Sequence, residues 1–301
     1  MSGEADEDIG TQIPSKRLLE ENDISASKAI RKKAKNDSQQ RTITNSSNVP
    51  PSSLQERKSQ LAPTRLSLPV YKFKRQISEL LKEKDVLLVV AETGSGKSTQ
   101  IPAYLDESGL FSSRNGKFAR SICVTQPRRV AAMTVAKRVA EERGCPIGSA
   151  VGYRVRFDDS TEKNTRIIYA TDGMLLREAM SDPLLTRYSV IVLDESHERS
   201  LQTDILFGVV SRAMAARGMV KVENTTERGD GEESIDERIQ RRMRERARDL
   251  CLPKLKVVVM SATLDIETFK SFFSDAAIVK IPGRMFPVPV SYTHLTLPTK
   301  A

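Results

Sequence analysis

The sequence predicts an α/β fold built on a parallel sheet with helices on both faces. Three observations predict it. Six short apolar runs, at 85–90, 121–126, 166–171, 189–194, 256–262 and 277–281, have the length of strands and end at polar or turn residues. Segments with helical spacing separate them, which is the alternation of a parallel sheet. The runs are apolar on both faces, as strands covered on each side must be.

In chain order, residues 1–62 are polar, rich in Ser, Asn, Gln and mixed charge, and read as a disordered tail. Within it, Lys16-Arg17 precedes a second basic group, Lys28, Arg31, Lys32, Lys33 and Lys35. Two basic clusters with a short spacer resemble a bipartite nuclear import signal. The folded region is expected over 63–290. It opens with LPVYKFKRQISELLKEK, whose Ile77, Leu80 and Leu81 have helical spacing. The strand DVLLVV follows. Helices are then expected at 98–105, 128–143, 172–180, 204–217 and 266–273, between the remaining strands. Residues 216–250 interrupt the pattern with a charged insertion. Its second half is expected to be a solvent-exposed helix, with Glu237–Arg241 and Glu245–Arg248 at pairing distance.

Composition narrows the class. The 301 residues carry a formal charge of +9, and both the tail and the insertion are close to neutral. The excess therefore sits in the folded part, which suits a polyanionic partner such as nucleic acid. The three cysteines have no paired spacing, and no apolar run is long enough to span a bilayer. A reduced intracellular compartment is expected, with no disulfide framework, no membrane span and no structural zinc. Nothing in the sequence points to a homo-oligomer.

The first strand runs directly into AETGSGKST (91–99), which fits A-x-x-x-x-G-K-S. Gly94 and Gly96 let the backbone turn tightly, so that successive N–H groups converge on an anion. The next helix adds the positive end of its dipole. Lys97 is expected to bridge the β- and γ-phosphates of a nucleotide and Ser98 to bind Mg²⁺. Glu92, Thr93, Ser95 and Thr99 complete the expected cradle. Ala91 stands where a first glycine is usual, and a small residue suffices there.

The run VIVL ends in DESH (194–197) at the carboxyl end of its strand, where open α/β sheets bind ligands. Asp194 is expected to hold the metal and Glu195 to polarise the attacking water as general base. His197 is a poor ligand for a hard cation. It reads instead as a hydrogen-bonding link to another element. The strand KVVVM ends in Ser261-Ala262-Thr263, whose hydroxyls are expected to reach His197 or Asp194 if the strands are neighbours.

The blocks AETGSGKST, TQPRRVAA (125–132), TDGMLLRE (171–178), DESH and SAT, together with VGYRVRFDD (151–159), resemble the DEAH-box RNA helicases of superfamily 2 over residues 66–290. DESH differs from DEAH only at Ser196. The resemblance implies a P-loop RecA-like domain using ATP and Mg²⁺. It also implies translocation in the 3′ to 5′ direction on single-stranded RNA held by its backbone. Thr125, Arg128, Arg129 and Thr171 match the family's backbone contacts, and Arg138 matches an arginine that stacks on the nucleotide base. An intradomain salt bridge is the alternative for Arg129.

The texture of residues 158–189 and 203–210 looks closest to nucleolar members acting in ribosome biogenesis. Ribosome-assembly factors are then the expected partners and the nucleolus the expected location. Splicing members share much of this text. Family-like sequence stops near GRMFPVPVSY, and THLTLPTKA (293–301) resembles a translated adapter sequence. A truncated gene model is expected, with residues 291–301 outside the family pattern. The family places ATP between two RecA-like domains, so the chain alone is expected to bind nucleotide weakly and hydrolyse it poorly. A P-loop NTPase acting on protein or small molecules, and a scaffold with vestigial chemistry, are the competing readings.

Overall fold

Aliphatic runs with no polar face find partners only inside a sheet covered on both sides, and that is where they lie. The computed structural model describes residues 51–109, 121–218, 234–263, 269, 272–273 and 275–283. Among the described residues eight strands form one sheet: β1 (Val86–Ala91), β2 (Ser121–Gln126), β3 (Val151–Val155), β4 (Asp158–Ser160), β5 (Ile167–Thr171), β6 (Tyr188–Leu193), β7 (Lys256–Ser261) and β8 (Ala277–Ile281). The order is β4-β3-β5-β2-β6-β7-β1-β8, parallel throughout except for the β3–β4 hairpin. β1, β2 and β6 are buried along their whole length.

Among the described residues seven α-helices accompany the sheet: α1 (Pro51–Ser67), α2 (Lys74–Glu83), α3 (Lys97–Glu107), α4 (Arg129–Arg143), α5 (Asp172–Ser181), α6 (Leu201–Arg217) and α7 (Ile235–Asp249). One face buries Ile77 and Leu81 of α2, Ile101 and Leu105 of α3, and Ala132, Ala136 and Val139 of α4. The opposite face buries Leu175 of α5 with Leu206, Phe207 and Val210 of α6. Phe207 also meets Phe269, ring centroids 5.5 Å apart.

Four expectations change. Residues 51–62, assigned to the polar tail, are helical. α1 has no apolar stripe to betray it. Long-range polar contacts hold it: Arg57 pairs with Glu141 at 2.7 Å, and Arg65 Nε donates to Gln100 Oε1 at 3.0 Å. Residues 1–50, with the basic clusters, lie outside the described residues, as does 284–301. β3 and β4 form a hairpin that no apolar run announced. Arg154 braces it through Asp159 at 2.9 Å and Glu178 at 3.1 Å. α7 exists, but one edge is covered: Ala247 and Met243 pack on Leu184, Ala216 and Leu252. Finally, Glu237 caps α7 in a box with Ser234, and Arg241 pairs with Glu245 at 3.6 Å. Most of the helix expected at 266–273 lies outside the described residues.

Candidate active site

Strand order decides what can meet. β6, β7 and β1 are consecutive, with Val90 beside Ser261 and Leu193 beside Val259. The glycine loop after β1, the SAT turn after β7 and DESH after β6 therefore emerge side by side at one sheet edge.

The loop needs its glycines. Gly94 has φ +78° and Gly96 φ +90°, both left-handed. The loop is braced from behind by Val70, whose N–H donates to Ser95 O at 3.2 Å. Helix α3 starts at Lys97, so its first unpaired N–H groups open toward the loop. A cleft of about 320 Å³ lies over it. Gly94, Gly96, Lys97, Ser98 and Thr99 line this cleft with Thr93, and so do Arg138 and Glu195. Thr64 and Leu68 of the entering segment form part of its wall. Glu92 is exposed beside it, and the Ser95 side chain is buried.

Lys97 is almost fully buried, and its Nζ lies 3.1 Å from Glu195 Oε1. Asp194 is buried. Its Oδ1 accepts from the Glu195 N–H at 2.8 Å and its Oδ2 from Gln126 Nε2 at 2.5 Å. Burial pushes the Asp194 carboxyl up to about 6, the Glu195 charge adds to this, and the Ser98 hydroxyl and Lys97 oppose it. Glu195 itself holds φ +50° and Arg199 φ +47°, a costly conformation for residues with side chains. This strained turn swings Glu195 over Lys97 while Asp194 stays in line with β6.

His197 does link to the neighbouring strand end, by a different route from the expected one. Its Nδ1 accepts the Ala262 backbone N–H at 3.3 Å and lies 3.5 Å from Glu195 Oε2. The Ser261 and Thr263 hydroxyls were expected to reach His197 or Asp194, and it is the backbone between them that meets His197. Instead Ser261 Oγ donates to Thr263 O at 3.0 Å and accepts from Thr263 N at 3.2 Å, closing its own turn. Ser196, which looked neutral, has a partner: its Oγ donates to Met260 O at 2.9 Å and ties DESH to β7.

The residues expected to face RNA divide. Arg128 and Arg129 are exposed after β2, and Thr171 is half-buried at the start of α5. Thr125 is fully buried, so its side chain offers no surface contact. Its neighbours there are polar: Asp172, also buried, accepts from Thr203 Oγ1 at 2.7 Å. Among the described residues Arg128, rather than Arg129, makes a salt bridge, 3.2 Å to Glu198. Arg138 is held at the rim of the cleft by buried Glu142, Nε to Oε1 at 2.8 Å. Glu142 also accepts from Gln100 Nε2 at 2.7 Å. Glu142, Gln126 and Ser196 are the site-shaping residues that sequence reasoning missed. Gln126 lies within TQPRRVAA, but nothing local to it announces its partner.

Among the described residues no three His, Cys, Asp or Glu side chains converge as a metal cage. A Mg²⁺ held by nucleotide phosphates, water and one or two protein oxygens needs no cage. The Ser98 hydroxyl is among the groups that act on the Asp194 carboxyl, so two protein oxygens lie on this side of the cleft. Cys123, Cys145 and Cys251 are free. No helix among the described residues is long and apolar enough to cross a membrane.

Comparison with known proteins gives the same picture. The family model described as DEAD/DEAH box helicase matches residues 72–221. The chain is 45% identical over 229 residues to human ATP-dependent RNA helicase DHX33, covering 76% of this chain and 27% of that protein. It is 44% identical over 229 residues to the pre-mRNA-splicing factor ATP-dependent RNA helicase prp22 of Schizosaccharomyces pombe, covering 76% and 16%. It is 41% identical over 248 residues to the pre-mRNA-splicing factor ATP-dependent RNA helicase DEAH10 of Arabidopsis thaliana, covering 78% and 33%. The chain thus spans a third or less of the length of these relatives. With its glycine loop, DESH turn and SAT turn gathered at one edge of a parallel sheet, the chain belongs to the DEAH-box RNA helicases.

Proposed function

We propose that this domain binds ATP with Mg²⁺ and serves as the nucleotide-binding half of an ATP-driven RNA helicase. One observation carries the reading: Lys97 and Glu195 meet at 3.1 Å over a left-handed glycine loop, beside buried Asp194. The loop N–H groups and Lys97 hold the β- and γ-phosphates, and Lys97 leaves Glu195 to do so. Glu195 is then free to accept the proton of a water whose oxygen attacks the γ-phosphorus as the bond to the bridging oxygen breaks. Ser98 and Asp194 would hold Mg²⁺, which when bound neutralises charge on the phosphates. At neutral pH Asp194 is largely ionised despite its raised pKa. Arg138, in the lining of the cleft, would stack on the base, a contact that does not discriminate strongly among nucleobases. Arg128, Arg129 and Thr171 hold RNA by its phosphates without reading sequence. Thr125 supports that edge from within.

The test is fluorescence titration of the chain with a slowly hydrolysed ATP analogue and Mg²⁺. Lys97→Ala should abolish binding, whereas Glu195→Gln should retain it. A Lys97→Ala chain that binds like the wild type would refute the reading.

The cellular role we infer is nuclear RNA processing by 3′ to 5′ translocation, narrowed to ribosome biogenesis by the texture of residues 158–189 and 203–210. Ribosome-assembly factors are the partners this role supplies. Two relatives carry pre-mRNA splicing in their names, and that favours splicing as the second reading. Crosslinking the protein to RNA in cells decides between pre-rRNA and spliceosomal RNA.

A further inference from the structure

β2 is the strand whose end presents Arg128 and Arg129, and it stops at Gln126. In register, Gln126 faces Thr171 of β5, while Thr125 faces Leu193 on the other flank, one residue before Asp194. The Gln126 side chain does not point to solvent; it is only 3% exposed. Its amide crosses to β6 and donates to Asp194 Oδ2 at 2.5 Å. A second tie lies on the surface, between Arg128 and Glu198 at 3.2 Å. Segments 126–128 and 194–198 are therefore fastened together at two points, one buried and one exposed.

From this juxtaposition we propose that Gln126 is a positioning residue that couples the RNA-binding end of β2 to the Asp194 carboxylate. The proposal rests on the nucleotide and RNA roles inferred above. A hydrogen bond to a buried carboxylate is short and directional. Gln126 follows the backbone of β2, so a shift of that strand end when phosphates engage Arg128 and Arg129 moves the donor. Asp194 has another fixed partner, the Glu195 N–H, so a moved donor turns the carboxylate rather than releasing it. By linkage the effect runs both ways, and a nucleotide that orders Asp194 favours the strand end that holds RNA.

The experiment uses the 301-residue chain, a fluorescent slowly hydrolysed ATP analogue and a single-stranded uridine decamer. Nucleotide Kd is measured with Mg²⁺, with and without saturating RNA, and again in EDTA. For the wild type, RNA should tighten the Mg²⁺-nucleotide affinity by a factor of about five or more. Gln126→Met keeps the volume and removes the donor. It should bring that factor to near one while leaving the RNA-free affinity in EDTA unchanged. Gln126→Ala should behave alike. A role confined to packing would lower the melting temperature and leave the factor intact, because a ratio of two affinities on the same folded population does not depend on how much is folded. Equal factors in wild type and Gln126→Met, or a wild-type factor of one, overturn the proposal. Nucleotide binding that persists in those cases leaves the assigned ATP site standing, whereas a wild-type chain that binds no nucleotide overturns both.

Discussion

Gly96→Ala should melt well below Gly94→Ala, although both glycines hold a left-handed backbone. The two sites share one cost. A side chain in that conformation costs about 1–2 kcal/mol. They differ in what a new Cβ would meet. At Gly94 no heavy atom lies within 4 Å. At Gly96 the Cβ would sit 2.8 Å from Leu68 Cδ1, 3.2 Å from Val70 Cγ1 and 3.3 Å from Leu68 Cβ. The Leu68 methyl can swing aside, but Val70 is fully buried and stiff at its branch point, so it cannot. Overpacking of this kind costs about 1–3 kcal/mol. For a chain of this size that term alone separates the two melting temperatures by roughly 2–12 °C. Differential scanning calorimetry of the two variants measures it directly. Leu68→Ala in the Gly96→Ala background should recover part of the loss, as contacting sites are non-additive. Superimposable melts for the two glycine variants, or strict additivity with Leu68→Ala, would refute the account of how the entering segment braces the loop.

Three more outcomes are expected. Arg138→Ala should weaken ATP binding roughly five- to thirty-fold, the worth of a planar cation against a ring, while inorganic tripolyphosphate binds as before; equal losses for both would remove the base contact. Arg217 is buried and donates to the carbonyls of Leu184, Leu185, Tyr188 and Pro253. Arg217→Met should therefore cost at least about 3 kcal/mol in urea unfolding, since orphaned buried carbonyls are expensive. Burial raises the Asp172 carboxyl, against the opposing Thr203 and Thr125 hydroxyls. The fold thus loses stability as pH rises from the unfolded value of about 3.9 through the raised folded one. Asp172→Asn, neutral throughout, should gain on the wild type over that window and hold a constant margin above it; denaturation midpoints at acidic and neutral pH that keep the same margin would contradict this.

Legibility followed the range of the interaction. The apolar runs that became β1, β2, β5, β6, β7 and β8 were readable because a strand buried on both faces writes its environment into consecutive residues. The loop was readable because a left-handed backbone at 94 and 96 is written as glycine. α1 was not, since contacts made far along the chain, Arg57 to Glu141 among them, help hold it and no local period records those; the β3–β4 hairpin was not, since its alternation of Val151, Tyr153 and Val155 into the core is too short to stand out as an apolar run. At the site, the sequence supplied the residue types and the strand ends they occupy. It did not supply the partners: Glu195 over Lys97, Gln126 on Asp194, Ser196 on Met260, or Thr125 turned inward.

By itself, then, the sequence determined a doubly covered parallel sheet with a phosphate loop and a carboxylate pair at strand ends. Both depend on local spacing and backbone geometry. Which strand ends stand side by side depends on strand order and register, and a hydrogen bond across that edge tolerates errors of only a few tenths of an ångström. Only the packed sheet decided those distances, and with them which polar groups are buried together and which face solvent.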